Sequence, residues 1–321
     1  MQTTRFTPLL LSTTIAGILA ATALQASADL SSRYTDVEGD MIADIPSDES
    51  QWVDPSTLVF AYTPVEDPAV YADVWADFLD HLGEATGKRV QFFPVQSNAA
   101  QQEALRAGRL HVAGFNTGGV PVAVNCGGFR PFAIMAAEDG SYGYEMEIIT
   151  HPDSGIESME DLAGRQLAFT SPTSNSGFRA PSALLRSEYG LEADEDFETA
   201  FSGSHDNSIL GVINRDYDAA AIANSVAHRM LARGVINEGD YEVIYTSETF
   251  PTTAYGIAHN LKPELQEQIQ EAFFSYDWSG TPLEAEFANS GEAQFIPITY
   301  EEHWSVIRTI ADANGVTYDC D

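Results

Sequence analysis

From Leu58 onward, apolar positions follow two periods that alternate along the chain. Residues 58–62 form a short unbroken apolar run, the pattern of a buried strand. Residues 68–84 then switch to a helical period that places Tyr71, Trp75, Phe78, Leu79 and Leu82 on one face, with Gly87 as a stop. A strand over 89–93, a helix over 99–107 closed by Gly108 and a strand over 110–115 continue the series. Such alternation predicts α/β layers with helices flanking a largely parallel sheet.

The series restarts further along: strand 167–169, helix 177–188, strand 200–201, helix 208–213 and strand 218–223. Segments 104–115 and 211–222 both read as a helix end, a tight turn and a strand of small and apolar residues. That echo is either the likeness of any two strand–helix units or the mark of two lobes of similar topology. Two lobes would hold a ligand in the cleft between them, at the C-terminal ends of their strands.

The ends of the chain add the compartment. Arg5 precedes a mostly apolar stretch over 7–24, and Ala26-Ser27-Ala28 supplies a small-residue cleavage pattern, so residues 1–28 read as a signal peptide and Asp29 as the first mature residue. No cysteine at that point offers a lipid anchor, and no later segment reads as a membrane span. A soluble exported protein of roughly 290 residues is expected, enough for one large domain or two medium ones. Residues 29–56 are polar and acid-rich, a tail or a peripheral wrap. Cys126 and Cys320, in an exported chain, are either bonded to each other or two buried thiols, and neither has the spacing of a metal site. The full chain carries a net charge of −33; removing residues 1–28 takes away Arg5 and no acid, leaving 14 basic and 48 acidic side chains and a net charge of −34. That balance argues against nucleic acid and anionic membrane as partners, but not against a small anion held by local dipoles.

Candidate chemistry concentrates in residues 167–182. An apolar run ends in a hydroxyl-rich turn with Ser174, Asn175 and Ser176, followed by Gly177 and a helix start. A helix N-terminus presents unpaired N–H groups and the positive end of the helix dipole, a natural place for an oxyanion; an ordinary capped helix is the competing reading. Ser174 or Ser176 with His205 and Asp206 could be imagined as a catalytic triad, but adjacent His and Asp rarely meet in that geometry and no Gly-x-Ser-x-Gly elbow is present. A metal site at His205, Asp206 and Asp218 lacks a second histidine at ligand spacing. No enzyme activity, metal or cofactor is expected, and a phosphoester hydrolase is the remote alternative.

Six segments, in order, resemble the periplasmic phosphonate/phosphite-binding proteins of ABC importers. They are residues 58–68 (Leu-Val-Phe-Ala-Tyr-Thr-Pro-Val-Glu-Asp-Pro), 104–108 (Ala-Leu-Arg-Ala-Gly) and 158–164 (Ser-Met-Glu-Asp-Leu-Ala-Gly), then 171–177 (Ser-Pro-Thr-Ser-Asn-Ser-Gly), 202–206 (Ser-Gly-Ser-His-Asp) and 218–221 (Asp-Ala-Ala-Ala). The resemblance spans residues 57–310 and implies a type II periplasmic binding fold. Lobe 1 would comprise 57–149 and 250–321, and lobe 2 residues 150–249, with crossovers near Ile149 and Phe250.

It also implies that the phosphonate rests on Ser174, Asn175 and Ser176, where asparagine departs from the family's Ser-Thr-Ser. His205 would be a further contact, Tyr144 an aromatic from the first lobe, and Thr63 a contribution from the loop after the first strand. Family members that bind an aminoalkylphosphonate surround its ammonium with acids and a tyrosine. Those positions fall here on Ser225, near Thr253 and near Asn98, which weakens that ligand and leaves phosphate, phosphite, a neutral alkylphosphonate, or an amine partnered by Glu66, Asp67 or Glu145. The expected protein is a monomeric receptor for a phosphonate or related phosphorus oxyanion, delivering it to an ABC permease in the inner membrane. Input to a membrane sensor, or a sulfonate cargo, are the alternatives.

Overall fold

The computed structural model describes residues 30–318 and 320. The expected signal peptide and its cleavage before Asp29 lie outside the described residues. Among the described residues no helix is long and apolar enough to cross a membrane.

Two sheets form the frame. The first has the order β11-β4-β10-β3-β1-β2, from β1 (Thr57–Tyr62), β2 (Arg89–Phe92), β3 (Val112–Phe115), β4 (Phe129–Ala136), β10 (Ala254–Ala258) and β11 (Gln294–Pro297). The second has the order β7-β6-β8-β5-β9, from β5 (Tyr144–Thr150), β6 (Gln166–Phe169), β7 (Glu198–Phe201), β8 (Ala219–Ala223) and β9 (Glu242–Phe250). In each sheet three parallel strands lie together, β2-β1-β3 and β7-β6-β8, and the remaining pairs are antiparallel.

The sheets are therefore mixed rather than largely parallel. Parallel neighbours need a crossover helix, which the strand–helix units supply. The antiparallel members include β4, β5, β9 and β10, the strands at which the chain passes between sheets. Segments 104–115 and 211–222 end in β3 and β8, which hold the same place in the two orders, so the echo in the sequence is one of topology.

β3 and β8 are buried on both faces, which is why they read as unbroken runs of small and apolar residues. Around β1, Phe60, Trp75, Phe78, Tyr255 and Phe273 form the aromatic centre of the first lobe, joined by the expected buried face of helix Ala76–Thr86.

The first connection between sheets runs over residues 137–143 and the second over 251–253. The first lies ahead of Ile149, where the sequence suggested it, so Tyr144 opens a strand of the second sheet and is not a first-lobe residue. Residues 30–56 wrap the first lobe: Ser31 N donates to Asn125 O at 2.9 Å, Arg33 Nη2 to Cys126 O at 3.0 Å, and Val53 bridges to Leu261. Cys126 and Cys320 are joined in a disulfide that ties the C-terminal tail to this same region.

Candidate functional site

The turn after β6 is shaped by local chemistry. Ser174 Oγ accepts the Gly177 N–H at 3.0 Å, and Gly177 O accepts the Thr170 N–H at 2.9 Å, folding the loop back on the strand. A Cβ at Gly177 would lie 2.0 Å from Thr170 Oγ1, so only glycine fits the closure. A helical run then extends from Asn175 to Tyr189, two residues earlier than its sequence period suggests. Its first turn, Asn175–Arg179, and its last, Leu185–Tyr189, are wider than an α-helix. Arg179 N bonds to Ser174 O and Ala180 N to Asn175 O, five residues back in each case, and Pro181 next in line has no N–H to offer. The N–H groups of Asn175 and Ser176 meet no acceptor among the described residues. Both residues are buried, and both line a cavity between the lobes that is partly open to solvent.

His205 opens the helix His205–Ile213 and lines the same cavity. Its Nδ1 accepts the Ala223 N–H at 3.1 Å, so the neutral ring carries its proton on Nε2. Burial, and then the nearby Arg229 guanidinium, push its pKa down to about 3 and keep it neutral. An anion in the cavity would therefore meet a neutral N–H donor. Asp206 accepts from Ser204 Oγ and from the Asp67 N–H rather than from the imidazole, so serine, histidine and aspartate form no catalytic relay here.

Tyr144 lines the cavity from the second lobe, its phenol oxygen accepting from Asn175 Nδ2 at 3.4 Å and keeping its own hydrogen to donate. The structure thus brings Ser174, Asn175, Ser176, His205 and Tyr144 to one space. Thr63 is not there. Neighbours along an extended chain point opposite ways, and here Tyr62 faces the cavity while buried Thr63 donates to Asn98 Oδ1 at 3.1 Å. Asn98 Nδ2 in turn donates to Ser171 Oγ at 3.0 Å, so this pair braces the turn from the first lobe.

Loop 116–119 of the first lobe presses on the turn. Asn116 Nδ2 donates to Thr173 O at 3.3 Å, and a Cβ on Gly118 would lie 2.3 Å from that carbonyl. Asn116 and Thr117 are cavity residues, as are Thr252 and Thr253 of the second connection.

The family model of the ABC transporter phosphonate periplasmic substrate-binding proteins matches residues 60–304. The chain belongs to this family. A Mycolicibacterium smegmatis relative, the phosphate-import protein PhnD, is 30% identical over 278 residues, 83% of this chain and 86% of that protein. PhnD1 from Prochlorococcus marinus, solved in complex with methylphosphonate, has a TM-score of 0.72 at 17% identity, over 82% of this chain and 99% of that one. A binding protein component of an ABC phosphonate transporter from Pseudomonas aeruginosa has a TM-score of 0.71 at 21% identity, over 80% of this chain and 86% of that one. These two likenesses show the two-lobed type II periplasmic binding fold. The protein is a phosphonate-binding periplasmic component of an ABC transporter.

Among the cavity residues that escape a reading of its sequence, two are charged, Arg229 and Glu292. Arg229 reaches the cavity from helix Asn224–Ala232 and is buried against the first lobe. Its Nη2 lies 3.2 Å from Glu66 Oε1, its Nε 3.5 Å from Glu286 Oε1, and its Nη1 donates to Ser290 Oγ at 3.1 Å. Arg233, one turn on, pairs with both glutamates. Two arginines spaced by four in so acidic a chain were the available signal. Glu292 stands just before β11 with no pattern around it; burial pushes its carboxyl up to about 7, although Arg229 and Ser290 pull the other way.

Ser225 and Thr253, where the resemblance places acids in relatives that hold an ammonium, do line the cavity. The three suggested substitutes do not. Glu66 is held by the arginines and Tyr71, Asp67 caps Ala69 N at 3.0 Å, and Glu145 accepts from Asn224 and Thr249.

Proposed function

We propose that the cleft captures a small phosphorus oxyanion by resting it on the Ser174–Ser176 turn, and that closure of the lobes over it is the signal read by the permease. The observation that carries this reading is the convergence of neutral donors. Two N–H groups without acceptors, the Nε2–H of an uncharged His205, the Tyr144 hydroxyl and the serine hydroxyls belong to residues that line one cavity. Such an arrangement suits a tetrahedral oxyanion, and Arg229 adds a fixed positive charge nearby.

Binding alone is the task, with no covalent step and no cofactor. Residues 1–28 serve export, the mature chain begins at Asp29, and a monomer docks the rims of its two lobes on the permease. Lobe 2 spans the second sheet, from Tyr144 to Phe250, and lobe 1 the remainder.

A thermal-shift screen of the mature protein tests the reading, with phosphate, phosphite, methylphosphonate, 2-aminoethylphosphonate, taurine and sulfate. A ligand at one hundred times its dissociation constant adds about 2.7 kcal/mol, a clear rise in the melting midpoint. A response confined to phosphorus compounds is expected. A response to taurine or sulfate alone would leave the fold in place and remove the cargo.

A further inference from the structure

The first-lobe wall of the cavity carries a group that an oxyanion receptor does not need. Glu292 is the one carboxylate among the described residues that line the cavity, and it is 6% exposed. Its Oε2 is bonded to Ser290 Oγ, while Oε1 has no partner among the described residues. The charges around it are already matched, Arg229 and Arg233 against Glu66 and Glu286. Glu292 is therefore a surplus acid, buried in the wall of a site for anions. Beside an oxyanion such a carboxylate is repulsive unless the ligand brings a hydrogen to it.

We propose that Glu292 is a specificity-determining residue of the cleft, accepting through Oε1 a hydrogen bond from a donor that the ligand carries away from the Ser174–Ser176 turn. The donor is either an ammonium N–H or the proton of a P–O–H group. Ligands of similar shape that end in a methyl group leave the carboxylate buried and unpartnered, and the site rejects them on that account. The acid stands at Glu292 rather than at Ser225 or Thr253, where the sequence shows none.

This inference rests on the phosphorus-oxyanion reading of the cleft, and one calorimetric titration series separates the two. The full mature protein is titrated with two near-isosteric pairs: 2-aminoethylphosphonate against propylphosphonate, and hydrogenphosphate against methylphosphonate. In the wild type the donor-bearing member of at least one pair is favoured roughly ten-fold or more, as a hydrogen bond to a charged group warrants. The first pair identifies an ammonium and the second a P–O–H proton. In Glu292→Gln, which keeps the side-chain shape, that ratio collapses towards unity; Ser290→Ala, which loosens Glu292 without removing it, reduces the ratio less. Melting curves without ligand verify that both variants are folded.

A wild type that binds phosphorus compounds without preference within either pair overturns the role of Glu292 and leaves the oxyanion reading standing. So does a preference that Glu292→Gln leaves intact. A preference for the methyl-ended members would mean that Glu292 is a protonated donor, which also contradicts the proposal. Binding of none of the four ligands, nor of phosphite, removes the phosphorus reading itself, and the proposal with it.

Discussion

The turns after β1 and β6 occupy the same place in the two lobes. Each follows the middle strand of a parallel trio, β2-β1-β3 or β7-β6-β8, and each leads into a helix. After β6 the turn leaves two N–H groups of cavity-lining residues without acceptors among the described residues. After β1 it is filled. Glu66 is buried under Tyr71, Arg229 and Arg233, Val65 O accepts the His205 N–H at 3.0 Å, and the helical segment starts at Pro68, which has no N–H. One loop is a cradle and its counterpart a latch that grips the opposite lobe. On the proposed reading the same topology supports capture on one side and closure on the other, with Glu66, the Val65 carbonyl and Pro68 filling the second turn.

The largest expected effect comes from breaking the latch. Glu66→Gln leaves Arg229 and Arg233 short of their shared partner inside the protein, and losing one member of a buried ion pair costs about 3–5 kcal/mol. Urea unfolding of the ligand-saturated protein measures this, and a loss under about 1 kcal/mol would mean that water replaces the pair.

Next comes the cradle itself. Ser176→Ala removes a hydroxyl from a buried turn and is expected to weaken ligand binding by about 1–3 kcal/mol, read by titration calorimetry. Unchanged affinity would take the turn out of the site.

Gly118→Ala sharpens the link between the two loops. The new methyl would meet Thr173 O at 2.3 Å and Asn175 N at 2.8 Å, contacts that exist only where the lobes meet. Overpacking of this kind costs about 1–3 kcal/mol and should appear as weaker binding with a nearly unchanged midpoint for the free protein. Full affinity in this variant would show that loop 116–119 yields freely.

The smallest effect concerns pH. Burial, and then Arg229, lower the pKa of folded His205 to about 3, while the unfolded chain titrates near pH 6.5. Below 6.5 the unfolded state takes up a proton that the folded state refuses, so stability is lost as pH falls from 6.5 towards 3. Between pH 7 and 5.5 this amounts to about 1 kcal/mol, and His205→Gln should flatten that part of the curve.

What could be read from the sequence is what is local. The strand–helix alternation, the repeated unit ending in β3 and β8, and the Ser174–Gly177 turn are each specified by residues close together in the chain. The misplacements come from orientation and from long-range approach. Thr63 sits at the end of a strand, where one step of alternation turns its side chain from the cavity to Asn98. Tyr144 begins its strand right after the connection at 137–143, which carries no apolar period to mark a change of lobe. Arg229 and Glu292, separated by more than sixty positions in sequence, come to the same cavity only through the tertiary fold.

The central claim is that the turn after β6 and the neutral imidazole of His205 hold the phosphorus group. A crystal structure of the mature protein with methylphosphonate tests it directly. The account predicts phosphonate oxygens within hydrogen-bond distance of the Ser176 N–H and hydroxyl and of His205 Nε2, with the Glu66–Arg229–Arg233 latch closed. A phosphonate bound against Arg229 with the turn left empty, or held outside this cavity, would contradict it.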